Sequence, residues 1–155
     1  MVRMRMVILT LALVAMGAGS SLAATVYEAE LTPENVVPTS GVDAYGQATL
    51  IVGDNLTTID LTLNFVGLDT EQTAAKLIEG TPLEPGIEVL DLPLGSPLAM
   101  TLAYTAELGA ALEAGELAIQ IYSEAWTGGA LRGNFDFVIV PVDETTWSSV
   151  KDLFN

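Results

Sequence analysis

The chain is 155 residues long, with 20 acidic and 5 basic residues, no histidine and no cysteine. So acidic a surface repels phosphate backbones and anionic lipid, which excludes nucleic acid and membrane surfaces as partners. The missing imidazole and thiol remove the commonest general base, the commonest transition-metal ligand and any disulfide, leaving the core alone to hold the fold.

Residues 1–23 read as a cleaved secretory signal. Arg3 and Arg5 form its basic start, Met6–Met16 its apolar run, and Ser21-Leu22-Ala23 a small-x-small cleavage site. The apolar run is short for a bilayer span. Cleavage after Ala23 is expected to leave a secreted or periplasmic product with one domain over 24–140 and a tail over 141–155. In that product three bases face all 20 acids.

Strand patterns dominate from Ala24 onward. Tyr27, Ala29 and Leu31 alternate with Glu28 and Glu30, and Pro33 and Pro38 bracket an acidic link. Ala44, Gly46, Ala48, Leu50 and Val52 share a second strand face. In Thr58–Phe65 the apolar residues Ile59, Leu61, Leu63 and Phe65 alternate with Thr58, Asp60, Thr62 and Asn64. Strict period-two alternation marks a half-buried antiparallel strand, and the turn at Gly53-Asp54-Asn55 predicts a hairpin.

Gln72–Glu79 follows, then a Pro/Gly-rich connection over Gly80–Gly86. Ile87–Leu92 and Leu98–Tyr104 are weaker strands split by Pro93 and Pro97, which suits sheet edges. Ala106–Ala114 is predicted as a helix capped by Thr105 and stopped by Gly115. Leu117, Ile119 and Ile121 alternate again, as do Leu131, Gly133, Phe135, Phe137 and Ile139, with Gly128-Gly129 as the turn between. About eight antiparallel strands predict an all-β Greek-key sandwich or a flattened barrel. In the tail, Trp147, Val150 and Phe154 stand near helical spacing. A short helix packed on the sandwich and an accessible recognition or sorting peptide are both consistent with that pattern.

Four patches of this chain resemble the CHRD domain, the module repeated in chordin and found singly in many exported microbial proteins. They are Tyr27–Leu31 with Asn35-Val36-Val37-Pro38, Ala44–Leu50, Val66-Gly67-Leu68 with Thr73-Ala74-Ala75, and Leu112–Gly115 running through Gly128–Asn134. The resemblance implies an antiparallel sandwich somewhat like that of copper/zinc superoxide dismutases. It departs from the family where histidines are expected, since Lys76 and Ile78 stand in the "AHIH" region and Ile121-Tyr122-Ser123 replaces "VHT". Ala130 takes the place of a family Glu. Chemistry based on those histidines is therefore not expected. The matching residues that carry over are Gly129, Arg132 and Gly133, of which only Arg132 is a candidate for function.

No catalytic or cofactor motif emerges. Lys76 has no serine at motif spacing, and the carboxylate pairs Asp69/Glu71 and Glu28/Glu30 are what a chain with 20 acids contains by chance. Gly53–Asn55 and Gly67–Glu71 offer oxygens to calcium, yet neither has the spacing of a known calcium loop. The candidate contact residues are Arg132, Trp126, Tyr122 and Trp147. Arg132 is expected on an outward strand face with Asn134 and Asp136, in an ion pair, or as a fork that grips an anion or locks the sheet. Tyr122 and Tyr45 are expected to face outward, and Trp126 either offers a stacking surface or closes the end of the sandwich. The leading expectation is a non-catalytic module that meets an extracellular protein or cell-surface component. The alternative is a divalent-cation-binding or carboxylate-based enzymatic sandwich.

Overall fold

Alternation places the first three strands, which lie side by side in one sheet. The computed structural model describes residues 24–139, so the signal over 1–23 and the tail over 141–155, with Trp147, lie outside the described residues. In β1 (Thr25–Leu31), Tyr27, Ala29 and Leu31 point inward. In β2 (Tyr45–Val52) and β3 (Thr58–Val66) every second residue is buried, as the pattern predicts. The two form a hairpin with Val52 opposite Ile59, and the Gly53 amide donates to the Thr58 carbonyl at 3.0 Å.

The chain then crosses to a second sheet for β4 (Gln72–Glu79) and β5 (Ile87–Leu92), and returns for β6 (Leu98–Ala103) beside β3. Next come α1 (Ala106–Ala114), β7 (Leu117–Ser123) beside β4, and β8 (Leu131–Asn134) beside β7. A final strand, β9 (Asp136–Val138), pairs with β1. The sheets have the orders β6-β3-β2-β1-β9 and β5-β4-β7-β8. Both β3 to β6 and β4 to β7 are four-strand excursions that come back to lie beside their start, which is Greek-key connectivity. The protein is an all-β antiparallel sandwich. The strands flanked by Pro93 and Pro97 are both sheet edges, as expected.

The core lies between the sheets, with Leu31, Leu50, Leu61 and Leu63 facing Leu77, Leu117, Ile119 and Ile121. Helix α1 closes one end with Leu108, Ala111 and Leu112. The Thr105 side chain accepts the Leu108 amide hydrogen at 3.2 Å, and Gly115 ends the helix at φ 70°, which costs least without a Cβ.

One expectation is corrected. Leu131–Ile139 reads as a single alternating strand, but the chain changes sheets at Phe135. The Phe135 amide donates to the Leu117 carbonyl at 2.8 Å and its ring is fully buried. Beyond it Phe137 is 59 % exposed and Ile139 77 %. Phe137 lies opposite Tyr27 at 5.8 Å ring to ring, on the edge of the sheet formed by the described residues. The run therefore yields two strands, and the total is nine.

Candidate functional site

The outer face of the four-stranded sheet holds two of the candidate contact residues, Arg132 and Tyr122. An antiparallel sheet commonly leaves such a face to water. Here the connection 80–86 and the link 33–42 cover part of it, so Ile78, Ala118, Gln120 and Arg132 are buried although they point away from the main core. Val36 and Ser40 belong to the same layer, and the Ser40 hydroxyl donates to the Ala130 carbonyl at 2.6 Å. The Gln120 amide donates to Gly128 O at 3.0 Å.

Arg132 is the centre of this layer and departs from the ion pair expected of it. It does lie on the outer face, but it is fully buried and its guanidinium meets no carboxylate. Nη1 donates to the carbonyls of Glu84 and Pro85, and Nη2 donates to Thr81 O at 2.9 Å. Asn134 beside it donates to Gly80 O at 3.0 Å and Gly115 O at 3.2 Å. Asp136, predicted to share this face, stands in the other sheet. The reason is the connection 80–86, which folds over β8 and brings backbone carbonyls where a surface carboxylate was expected. Burial pulls the Arg132 pKa below its ordinary value, with the Tyr122 hydroxyl acting the other way, yet an arginine stays charged. Arg132 Nε and Asn134 Oδ1 have no hydrogen-bond partner. The residue staples a loop through its two Nη atoms.

Gly133 explains how closely the layers approach. The isolated bridge between Thr32 and Arg132 brings the end of β1 against β8, and a Cβ at Gly133 would collide with the Glu30 carbonyl. Gly129, at φ 123°, similarly leaves room for Val36 and the Gln120 side chain.

Lys76 and Tyr122, two of the positions where the resemblance calls for histidine, are neighbours on the exposed part of the same face. Lys76 Nζ lies 2.7 Å from Glu88 and 3.5 Å from Asp91, both on β5, and 5.9 Å above the Tyr122 ring. The third position, Ile78, is buried. Tyr122 points outward as expected but is half-buried rather than free.

The hydrogen bond from Lys76 to Glu88 raises the lysine pKa, with the Glu88 and Asp91 charges adding and burial opposing. Burial raises the Tyr122 pKa, reinforced by Glu88, and burial together with Glu113 and Tyr104 raises that of Tyr27. All three groups hold their protons more tightly folded than unfolded. Their contribution is present below the unfolded pKa values and is lost as pH rises through the folded ones. Thermal melts followed by circular dichroism are expected to show the midpoint falling above about pH 10, and falling less in Tyr122→Phe.

The remaining candidates lie elsewhere. Trp126 is half-buried against the core at the end of the sandwich, and its Nε1 donates to Asp69 Oδ2 at 3.3 Å. Tyr45 is 68 % exposed on the five-stranded sheet, facing outward as expected. In each of the two loops considered for calcium, a side-chain oxygen is taken up internally. Asn55 Oδ1 accepts from the Thr57 amide at 3.0 Å, and Thr70 Oγ1 accepts from the Ala125 amide at 3.0 Å. Among the described residues no three acidic side chains converge to hold a metal ion. Nor is any described helix long and apolar enough to cross a membrane.

The partnership of Lys76 with Glu88 and Asp91 was invisible in the sequence, because a register between two strands cannot be read from either alone. Pro93 marked β5 as an edge strand, but which of its apolar residues stay exposed depends on the pairing with β4.

No curated protein and no solved structure matches the chain. The family model described as CHRD domain matches residues 27–135, a span that runs from the first strand to the sheet-crossing phenylalanine and takes in the whole stapled layer. This chain belongs to the CHRD domain family.

Proposed function

We propose that this chain is a secreted, non-catalytic binding or structural module that acts through protein contacts outside the cytoplasm. CHRD domains are generally extracellular binding modules. The observation that carries the reading is the structural commitment of the outer face. Lys76 is tied to Glu88 and Asp91, Ile78 is buried, and the Arg132 fork is spent on loop carbonyls. Reactive groups on that face are thus occupied in holding it together, which favours a surface that recognises by shape and charge.

Capture of a saturable partner by the mature chain from its native extracellular fraction tests this reading, and recovery of none overturns it. Measurable turnover of a substrate, or copper or zinc held through purification, overturns it as well. The rival, a calcium-dependent sandwich, is separated by melting. Excess calcium is expected to leave the thermal midpoint unchanged, whereas a native-state site of micromolar affinity would raise it by several degrees.

A further inference from the structure

Five of the eleven large apolar side chains exposed among the described residues gather on one short stretch: Leu83, Ile87, Val89, Leu90 and Leu94. Leu83 is 87 % exposed and Ile87 76 %. Apolar surface concentrated this way marks a contact site more often than an accident of composition. The stretch surrounds β5, the last strand of its sheet, whose outer side pairs with no strand among the described residues. The opposite edge, β8, is by contrast covered, because Thr32 and Arg132 exchange backbone hydrogen bonds at 3.0 and 3.1 Å. The approach to β5 is held in place through the Arg132 bonds to Thr81, Glu84 and Pro85, so ordering it on binding costs little.

Charge selects the occupant. Glu79, Glu84, Glu88 and Asp91 flank the apolar residues, and the nearby cation, Lys76, is already paired. A second copy of this chain would bring the same acids with no base to meet them. The register shift in the pairing of β4 and β5 makes Val89 an extra residue, which leaves both Val89 and Leu90 at the surface and disfavours a long flat ribbon.

We propose that the β5 edge takes up a short extended segment of a partner protein in which apolar residues alternate with lysine or arginine. The inference rests on the protein-contact reading above and gives it a place. Backbone pairing with β5 would supply part of the affinity, the apolar residues around it the selectivity, and the carboxylates the attraction of a basic strand.

The test is fluorescence anisotropy with the full chain and two labelled peptides of equal charge, Lys-Val-Lys-Val-Lys-Val and Lys-Pro-Lys-Pro-Lys-Pro. Proline cannot pair along a strand. The valine peptide is expected to bind at least about tenfold more tightly than the proline peptide. The variant Ile87→Thr/Val89→Thr/Leu90→Thr, which keeps the charge and the strand preference, is expected to lose about tenfold. Should that variant not fold, Ile87→Thr alone is expected to weaken binding measurably, since Ile87 is the most exposed apolar residue of the strand.

Equal binding of the two peptides, undiminished binding by the variant, or no binding of either overturns the proposal. So does a dimer in light scattering that the variant dissolves, since the occupant would then be a second copy. If wild type and variant retain a native extracellular partner equally, the edge is wrong and the module reading stands. Peptide binding as expected without any native partner overturns the module reading alone.

Discussion

Arg132→Ala is expected to lower the thermal midpoint by about 10 °C or more. The guanidinium is fully buried and donates to the carbonyls of Thr81, Glu84 and Pro85. Truncation removes those charge-assisted bonds, leaves Asn134 without its packing neighbour and opens a cavity between loop and sheet. Losses of this type total about 3–5 kcal/mol, and each kcal/mol moves the midpoint of a domain this size by about 3–5 °C. Arg132→Met separates the contributions. It fills most of the volume without the bonds, so about half of the stability is expected back while the loop stays loosened. Limited proteolysis reads the second effect, because Leu83 stands exposed on that loop. Cleavage near Leu83 is expected in both variants and not in the wild type. A midpoint within about 2 °C of wild type for Arg132→Ala would show that the staple contributes little.

Phe135→Ala is expected to cost about 3–5 kcal/mol, while Phe137→Ala costs about 1 kcal/mol or less. The sequence pattern treats the two residues alike, two positions apart on one apolar face. The structure separates them, with Phe135 fully buried at the crossing between sheets and Phe137 more than half exposed. What Phe137 loses is chiefly its edge-on contact with Tyr27. Denaturant unfolding with unchanged slope measures both, and equal costs for the two would mean that the crossing is misplaced. The Phe135 amide bond to Leu117 survives either substitution, so the difference reports side-chain burial alone.

These two residues also show where the sequence stopped being legible. Strand faces could be read because burial repeats with the pleat. Every apolar residue of Thr58–Phe65 fell on the inner side, and the hairpin followed from Gly53. The helix was legible through its ends, Thr105 and Gly115, which satisfy orphan backbone groups in a way that few residue types can. The break at Phe135 was not legible, since a chain that changes sheets keeps its alternation while it turns. The candidate site was less legible still. Arg132 was rightly placed opposite the apolar face, but its true partners are backbone carbonyls of residues 81, 84 and 85, supplied by a loop some fifty positions earlier in the chain. Carbonyls leave no mark in a sequence, because every residue has one.

The family histidine positions make the same point about chemistry. That Lys76, Ile78 and Tyr122 stand there was plain from the residues, and it was enough to set imidazole chemistry aside. That Lys76 closes onto Glu88 and Asp91, and that Tyr122 lies beneath it, depends on strand order and register.

Local pattern thus settled the all-β class, the faces of the early strands, the hairpins, the helix caps and the acidic character, because each follows from neighbours in the chain. Long-range packing settled which outer face is covered, what Arg132 grips and which edge is left bare. Those outcomes hinge on loops laid over sheets, where the energy of a contact belongs to residues that have no fixed separation in sequence.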